Sequence, residues 1–248
     1  MTPFNSPITI GIDFDDTLWH TTPHFDRGRE ILEGIFEGVS GEASAAELVR
    51  SIEEHRISTY GYGYASFVLA AIEALLSTDA RDRALATVAP LFDWAHDTST
   101  APVKLLDGVE ETLPILAAEH RLIGITRGSI PTQVDLFLRS GLGEHFREVE
   151  VLGRKTVGRY ESILRRHRIE PDRFIMIGDS LAADIEPALA AGGYAIHIPY
   201  GGGWDQGRDR AVDAGSSVAS NPRWSCNDSF SEVPETVNAI VGRMTPTD

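Results

Sequence analysis

Lysine is nearly missing from this sequence: of 22 basic residues in 248, only Lys104 and Lys155 are lysines, so chemistry that needs an ammonium has two candidates. Cysteine is scarcer still. Cys226 stands alone, which excludes an internal disulfide framework and fits a reducing compartment. Positive charge is in deficit overall. The net charge of −15 argues against nucleic-acid or anionic-membrane partners, which would be repelled, and requires that any anionic substrate be captured by local positive groups. Long apolar runs are also lacking. The longest, within FVLAAIEALL at 67–76, falls far below the roughly 20 residues a membrane helix needs, and the leading MTPFNSPITI shows no secretory pattern. These absences predict a soluble, cytoplasmic protein.

What is present is a rhythm of short β-branched runs and helical segments. ITIGI (8–12), RLIGIT (121–126), EVEVL (148–152), RFIMIG (173–178) and YAIHI (194–198) read as strands. Helical spacing fills 109–119, 131–140, 158–167 and 181–191 between the later ones, and a final helix is expected at 233–243. Strands alternating with helices from about 105 onward imply an α/β fold with a doubly wound parallel sheet. Residues 20–100 break the rhythm, offering four helical segments near 25–38, 44–57, 64–77 and 79–95 and no strand. An all-α module at 21–99 is therefore expected as an insert into a core made of 1–20 and 100–248, with hinges around 21–23 and 98–102. The glycine-rich stretch 201–225 reads as a long loop.

Ligands of open parallel sheets bind beyond the carboxyl ends of the strands. The polar residues falling there form a coherent set: Asp13, Asp15 and Thr17 after the first strand, Thr126 and Arg127 at the second, Lys155 before the next helix, and Asp179 and Asp184 after the fourth. Carboxylates this crowded repel one another unless a cation lies between them, and an all-oxygen, partly hydrated site is what Mg²⁺ prefers. Asp13 then serves as an ionised nucleophile and Asp15 as a general acid and base on the same side of the chain. Alternation points Asp16 elsewhere. Thr126, the amides opening the helix near Pro131, and Lys155 make a phosphate cradle, with the Arg127 amide facing it.

In this order, DFDDT at 13–17, the apolar strand ending in Thr126, Lys155 at the head of a helix and GDSLAAD at 178–184 resemble the four motifs of the haloacid dehalogenase superfamily. The resemblance implies that superfamily's Rossmann-like core and phosphohydrolase chemistry. Asp13 forms an aspartyl phosphate; Asp15 protonates the leaving alcohol and then activates water. Asp13, the Asp15 backbone carbonyl and Asp179 hold Mg²⁺ with support from Asp184, while Thr126 and Lys155 bind the phosphoryl group. Proline, which follows the lysine in many relatives, is absent after Lys155.

Dehalogenases of the superfamily lack the second aspartate of the first motif, so Asp15 favours phosphoryl transfer. The insert lies where the superfamily's helical cap does, which implies a small phosphorylated metabolite as substrate. His20 near the first hinge, and Tyr60, Tyr62 and Tyr64 in STYGYGYASF, are the candidates for contacting it. A phosphotransferase or sugar-phosphate mutase, and a silent member that binds a phosphorylated ligand, are the alternatives.

Overall fold

A computed structural model describes residues 8–40, 45–78, 86–201 and 218–244. Six parallel strands form one sheet in the order β3-β2-β1-β4-β5-β6: β1 (Thr9–Ile12), β2 (Arg121–Arg127), β3 (Glu148–Leu152), β4 (Phe174–Gly178), β5 (Tyr194–His197) and β6 (Trp224–Cys226). β1 is central, pairing with β2 on one side and β4 on the other, so the strand order reverses at its carboxyl end. That switch point is where open sheets leave a crevice.

Alternate side chains of the strands build two cores, as the period of two requires. On one face Ile10, Ile12, Ile175 and Ile177 pack with Leu113 of α5 (Val109–Glu119) and Val237 of α9 (Val233–Arg243). On the other, Ile123, Ile125, Phe174 and Met176 meet Ile163 of α7 (Val157–His167) and Ala188 of the short α8 (Glu186–Ala190). β6 begins within the stretch expected to be a loop and ends one residue beyond it. It is only three residues long, too short to show an alternating pattern, and pairs with β5 as an edge while Trp224 packs against the small cluster of Leu181, Ile185, Ala195 and Val218. Residues 202–217 of that stretch lie outside the described residues.

The inserted segment folds as α1 (Thr22–Ser40), α2 (Ala45–Tyr60), α3 (Tyr64–Leu76) and α4 (Ala89–Thr100). Leu32, Phe36, Phe67, Ala71, Leu75, Leu91 and Trp94 form a core of their own, separate from the two that flank the sheet. The fourth helix differs from expectation. Pro90 sits in its first turn, because proline is costly in a helix interior but suits a helix start, and the helix runs on through 98–100 where a hinge was expected. The expected helical residues 79–85 lie outside the described residues. Among the described residues, no helix is long and apolar enough to cross a membrane.

Candidate active site

β1 ends in a tight turn that sorts its side chains. The Phe14 carbonyl accepts from Leu18 N at 2.8 Å, and Asp16 N donates to Trp19 O at 2.8 Å. Phe14 points into the core, stacked on Phe137 with ring centroids 5.2 Å apart, which turns its neighbours Asp13 and Asp15 toward the rim. Asp16 has positive φ of 60°. Its carboxylate takes Thr21 N and Thr22 N, each at 2.9 Å, and so caps α1, the structural role expected for a bystander.

Three acids converge at the carboxyl ends of β1 and β4. Carboxylate oxygens of Asp13, Asp179 and Asp184 lie within 4.8 Å of one another. Lys155 Nζ donates to Asp13 Oδ1 and to Asp184 Oδ1, each at 2.5 Å. Burial raises the Asp184 carboxyl to about 6, with the Asp13 charge adding to the rise and Lys155 opposing it. Burial and the Asp13 and Asp184 charges likewise hold Asp179 well above the ordinary range. For Lys155, burial pulls the pKa down, but the two acids outweigh it and the net shift is upward.

A π-turn delivers Asp184. Where a regular helix was expected over 181–191, Leu181–Ile185 winds wide, with both Asp184 N and Ile185 N reaching Ser180 O before α8 begins. Such a bulge inserts a residue into the helical repeat and re-aims a side chain, a device frequent at functional sites. Gly178 leaves the room: a Cβ there would run into the Asp184 carboxylate.

Asp15 lies beside this cluster, held at Oδ1 by Trp19 Nε1 (3.0 Å) and Thr21 Oγ1 (2.7 Å) and at Oδ2 by Gln133 Nε2 (2.8 Å). Burial, reinforced by Asp13, pushes its carboxyl up to about 6 against the pull of the Thr21 hydrogen bond. Thr126 is fully buried, and its hydroxyl donates to Gln133 Oε1 at 3.1 Å. Gln133 escaped the sequence reading. It lies on α6 (Ile130–Ser140), where Ile130, Val134 and Leu138 suggest the buried face, yet these three are exposed and Gln133 is 4 % exposed.

A cavity of about 780 Å³ joins these groups to the helical module, bordered by Asp13, Asp15, Arg127, Lys155, Asp179 and Asp184 on one side and by Arg29, Tyr62 and Tyr64 on the other. Thr126 is not among the bordering residues. Tyr62 touches the sheet domain directly: its carbonyl accepts from Ser129 N at 2.9 Å, and the Arg127 guanidinium lies 4.1 Å from its ring centroid. Tyr64 borders the cavity but also packs against Phe25 and Trp94. The Tyr60 side chain lies outside the described residues. His20 is elsewhere, hydrogen-bonded through Nδ1 to the Tyr200 hydroxyl at 2.7 Å and not bordering the cavity.

The donor set fits a hard divalent cation. Three carboxylates, of which Asp179 and Asp184 have raised pKa values, gathered with no soft sulfur or imidazole donor in the group, are what Mg²⁺ accepts and what it would relieve.

Known proteins resemble this chain in sequence and in fold. The chain is 27 % identical over 197 residues to the glyceraldehyde 3-phosphate phosphatase of Methanopyrus kandleri, covering 76 % of this chain and 82 % of that one. A haloacid dehalogenase-like family hydrolase from Xanthomonas campestris superposes with a TM-score of 0.82 at 27 % identity, over 98 % of this chain and 96 % of that one. A 2-haloacid dehalogenase from Pseudomonas syringae pv. Tomato shares the fold, with a TM-score of 0.56 at 24 % identity over 96 % and 100 % of the two chains. The model of haloacid dehalogenase-like hydrolases matches residues 9–192, a span that holds the Asp13 turn, Lys155 and the Asp179–Asp184 loop together, and the chain belongs to that family.

Proposed function

We propose that this hydrolase is a Mg²⁺-dependent phosphatase that cleaves a small phosphomonoester through an aspartyl phosphate on Asp13. The observation that carries the reading is the convergence of Asp13, Asp179, Asp184 and Lys155, with Asp15 opening onto the same cavity. Likeness to a phosphatase supports the reaction class. Asp15 supports it further, since an alkoxide leaving group needs a proton and a halide does not.

Asp13 Oδ attacks phosphorus as the ester P–O bond breaks, and the proton of Asp15 passes to the departing oxygen. Asp15, now a carboxylate, takes a proton from the water that attacks the aspartyl phosphate, releasing inorganic phosphate and restoring Asp13. A carboxyl whose pKa is about 6 suits this double duty, because it neither holds nor surrenders its proton too firmly near neutrality. Lys155 contributes positive charge beside Asp13, and Arg127 supplies a donor at the end of β2 for the phosphoryl oxygens, while Thr126, expected to share that role, is buried behind it with its hydroxyl committed to Gln133. Asp13, Asp179, Asp184 and the Asp15 carbonyl would hold Mg²⁺, which supplies charge neutralisation for the phosphoryl group. The helical module at 21–99 acts as the cap that excludes water and selects the ester, with Tyr62 and Tyr64 on its wall. A cytoplasmic setting and a phosphorylated metabolite as the partner complete the reading.

The test is phosphate release from p-nitrophenyl phosphate with Mg²⁺ by the wild type and by Asp13→Asn. Turnover by the wild type and its loss in the variant are expected; undiminished turnover in Asp13→Asn would sink the nucleophile.

A further inference from the structure

Asp15 is gripped from two directions. Trp19 and Thr21, which hold Oδ1, belong to the same stretch of chain as Asp15 and move with it. Gln133, which holds Oδ2, belongs to α6 and is tied through Oε1 to Thr126 at the end of β2. Among the described residues, its amide is therefore the one hydrogen-bonded strut that fixes this carboxylate against the β2–α6 loop.

The Gln133 amide bridges the two by donating through nitrogen and accepting through oxygen. A carboxylate acceptor on one side and a hydroxyl donor on the other require a side chain that donates at one end and accepts at the other, which neither glutamate nor an apolar residue can supply. The loop is shaped around it. A Cβ on Gly128 would lie 2.8 Å from Gln133 Cγ and 2.9 Å from Nε2, so the glycine leaves space for the amide to pass. Gln133 is buried in a helix whose apolar residues at 130, 134 and 138 are exposed, so hydrophobic burial did not select it.

We propose that Gln133 is a positioning residue for the reaction, holding Asp15 in the orientation from which it protonates the leaving oxygen. This rests on the reading of Asp15 as the general acid. Its signature is selective: a misaimed acid slows esters of basic leaving groups and spares those whose leaving group departs without a proton.

The experiment compares kcat/KM for phenyl phosphate and 2,4-dinitrophenyl phosphate, esters of similar shape, in the wild type, Asp15→Asn, Gln133→Met, Gln133→Glu and Gly128→Ala, each first checked for a cooperative thermal transition. Asp15→Asn is expected to lose far more on the phenyl ester than on the dinitrophenyl ester. The Gln133 variants are expected to lose about tenfold more on the phenyl ester, a fraction of the 10²–10⁴ that a general acid supplies. Gly128→Ala should show the same selectivity with the amide chemically intact, and it decides the matter if the Gln133 variants do not fold. Equal losses on both esters in the Gln133 and Gly128 variants, alongside a selective Asp15→Asn, would leave the acid in place and overturn the role of Gln133. A nonselective Asp15→Asn, or a wild type inactive on both esters, overturns the acid and the strut together.

Discussion

Lys155 Nζ stands 2.5 Å from Asp13 Oδ1 and 2.5 Å from Asp184 Oδ1, joining the segment after β1 to the π-turn after β4 with a single buried ammonium. Either acid alone would pair with it. Together they make it the hub of a three-charge cluster shielded from water, where removal of one partner leaves uncompensated charge.

Lys155→Met should therefore cost about 3–5 kcal/mol of stability in a metal-free buffer, the usual penalty for orphaning buried charges. Urea denaturation checks this. Added Mg²⁺ should return part of the loss, since a cation among Asp13, Asp179 and Asp184 replaces the missing charge.

The acids also predict how stability follows pH. Burial raises Asp15 and Asp184 to about 6, above the 3.9 or so of an unfolded aspartate. An acid whose pKa is raised on folding stabilises below its unfolded value and loses that contribution as pH rises through the folded one. Without metal, the melting temperature should fall between pH 4 and about 7. Mg²⁺ competes with those protons, so the rise in melting temperature that it causes should be larger at pH 8 than at pH 5. Scanning fluorimetry with EDTA or Mg²⁺ at both values decides; equal shifts would contradict it.

Gly178→Ala should weaken Mg²⁺ binding by about 10–100-fold, as displaced support of a ligand commonly does, because its Cβ collides with the Asp184 carboxylate. Calorimetric titration of the metal measures this, and unchanged affinity would show that Asp184 is dispensable to the site.

The seam between module and sheet carries its own prediction. Gly61 has φ of 72° and its missing Cβ would sit 3.2 Å from Ser129 N, the donor to Tyr62 O. Gly61→Ala should loosen that contact by about 1–2 kcal/mol, the cost of a left-handed residue with a Cβ. Steady-state kinetics should show KM rising about tenfold with a smaller change in kcat.

Asp16→Ala separates the neighbouring acids. It removes an acceptor for Thr21 N and Thr22 N and should cost about 0.5–2 kcal/mol as a lost cap, read as a lower melting temperature.

Strand and helix periodicity placed β1 to β5 and most helices within a residue or two, because buried alternation and amphipathic spacing are local properties of the chain. β6 escaped that reading, since three residues are too few to show an alternating pattern, and so did the start of α4, where Pro90 sits in the first turn. The sequence by itself determined the charged set, because Asp13, Asp15, Lys155, Asp179 and Asp184 fall at strand ends and helix starts whose order is written in the chain. Tertiary structure alone decided which of them touch. Gln133 meets Asp15 across 118 positions, and His20 turns to Tyr200 rather than to the cavity, because contacts so distant along the chain depend on how sheet, π-turn and inserted helices pack and not on any local pattern.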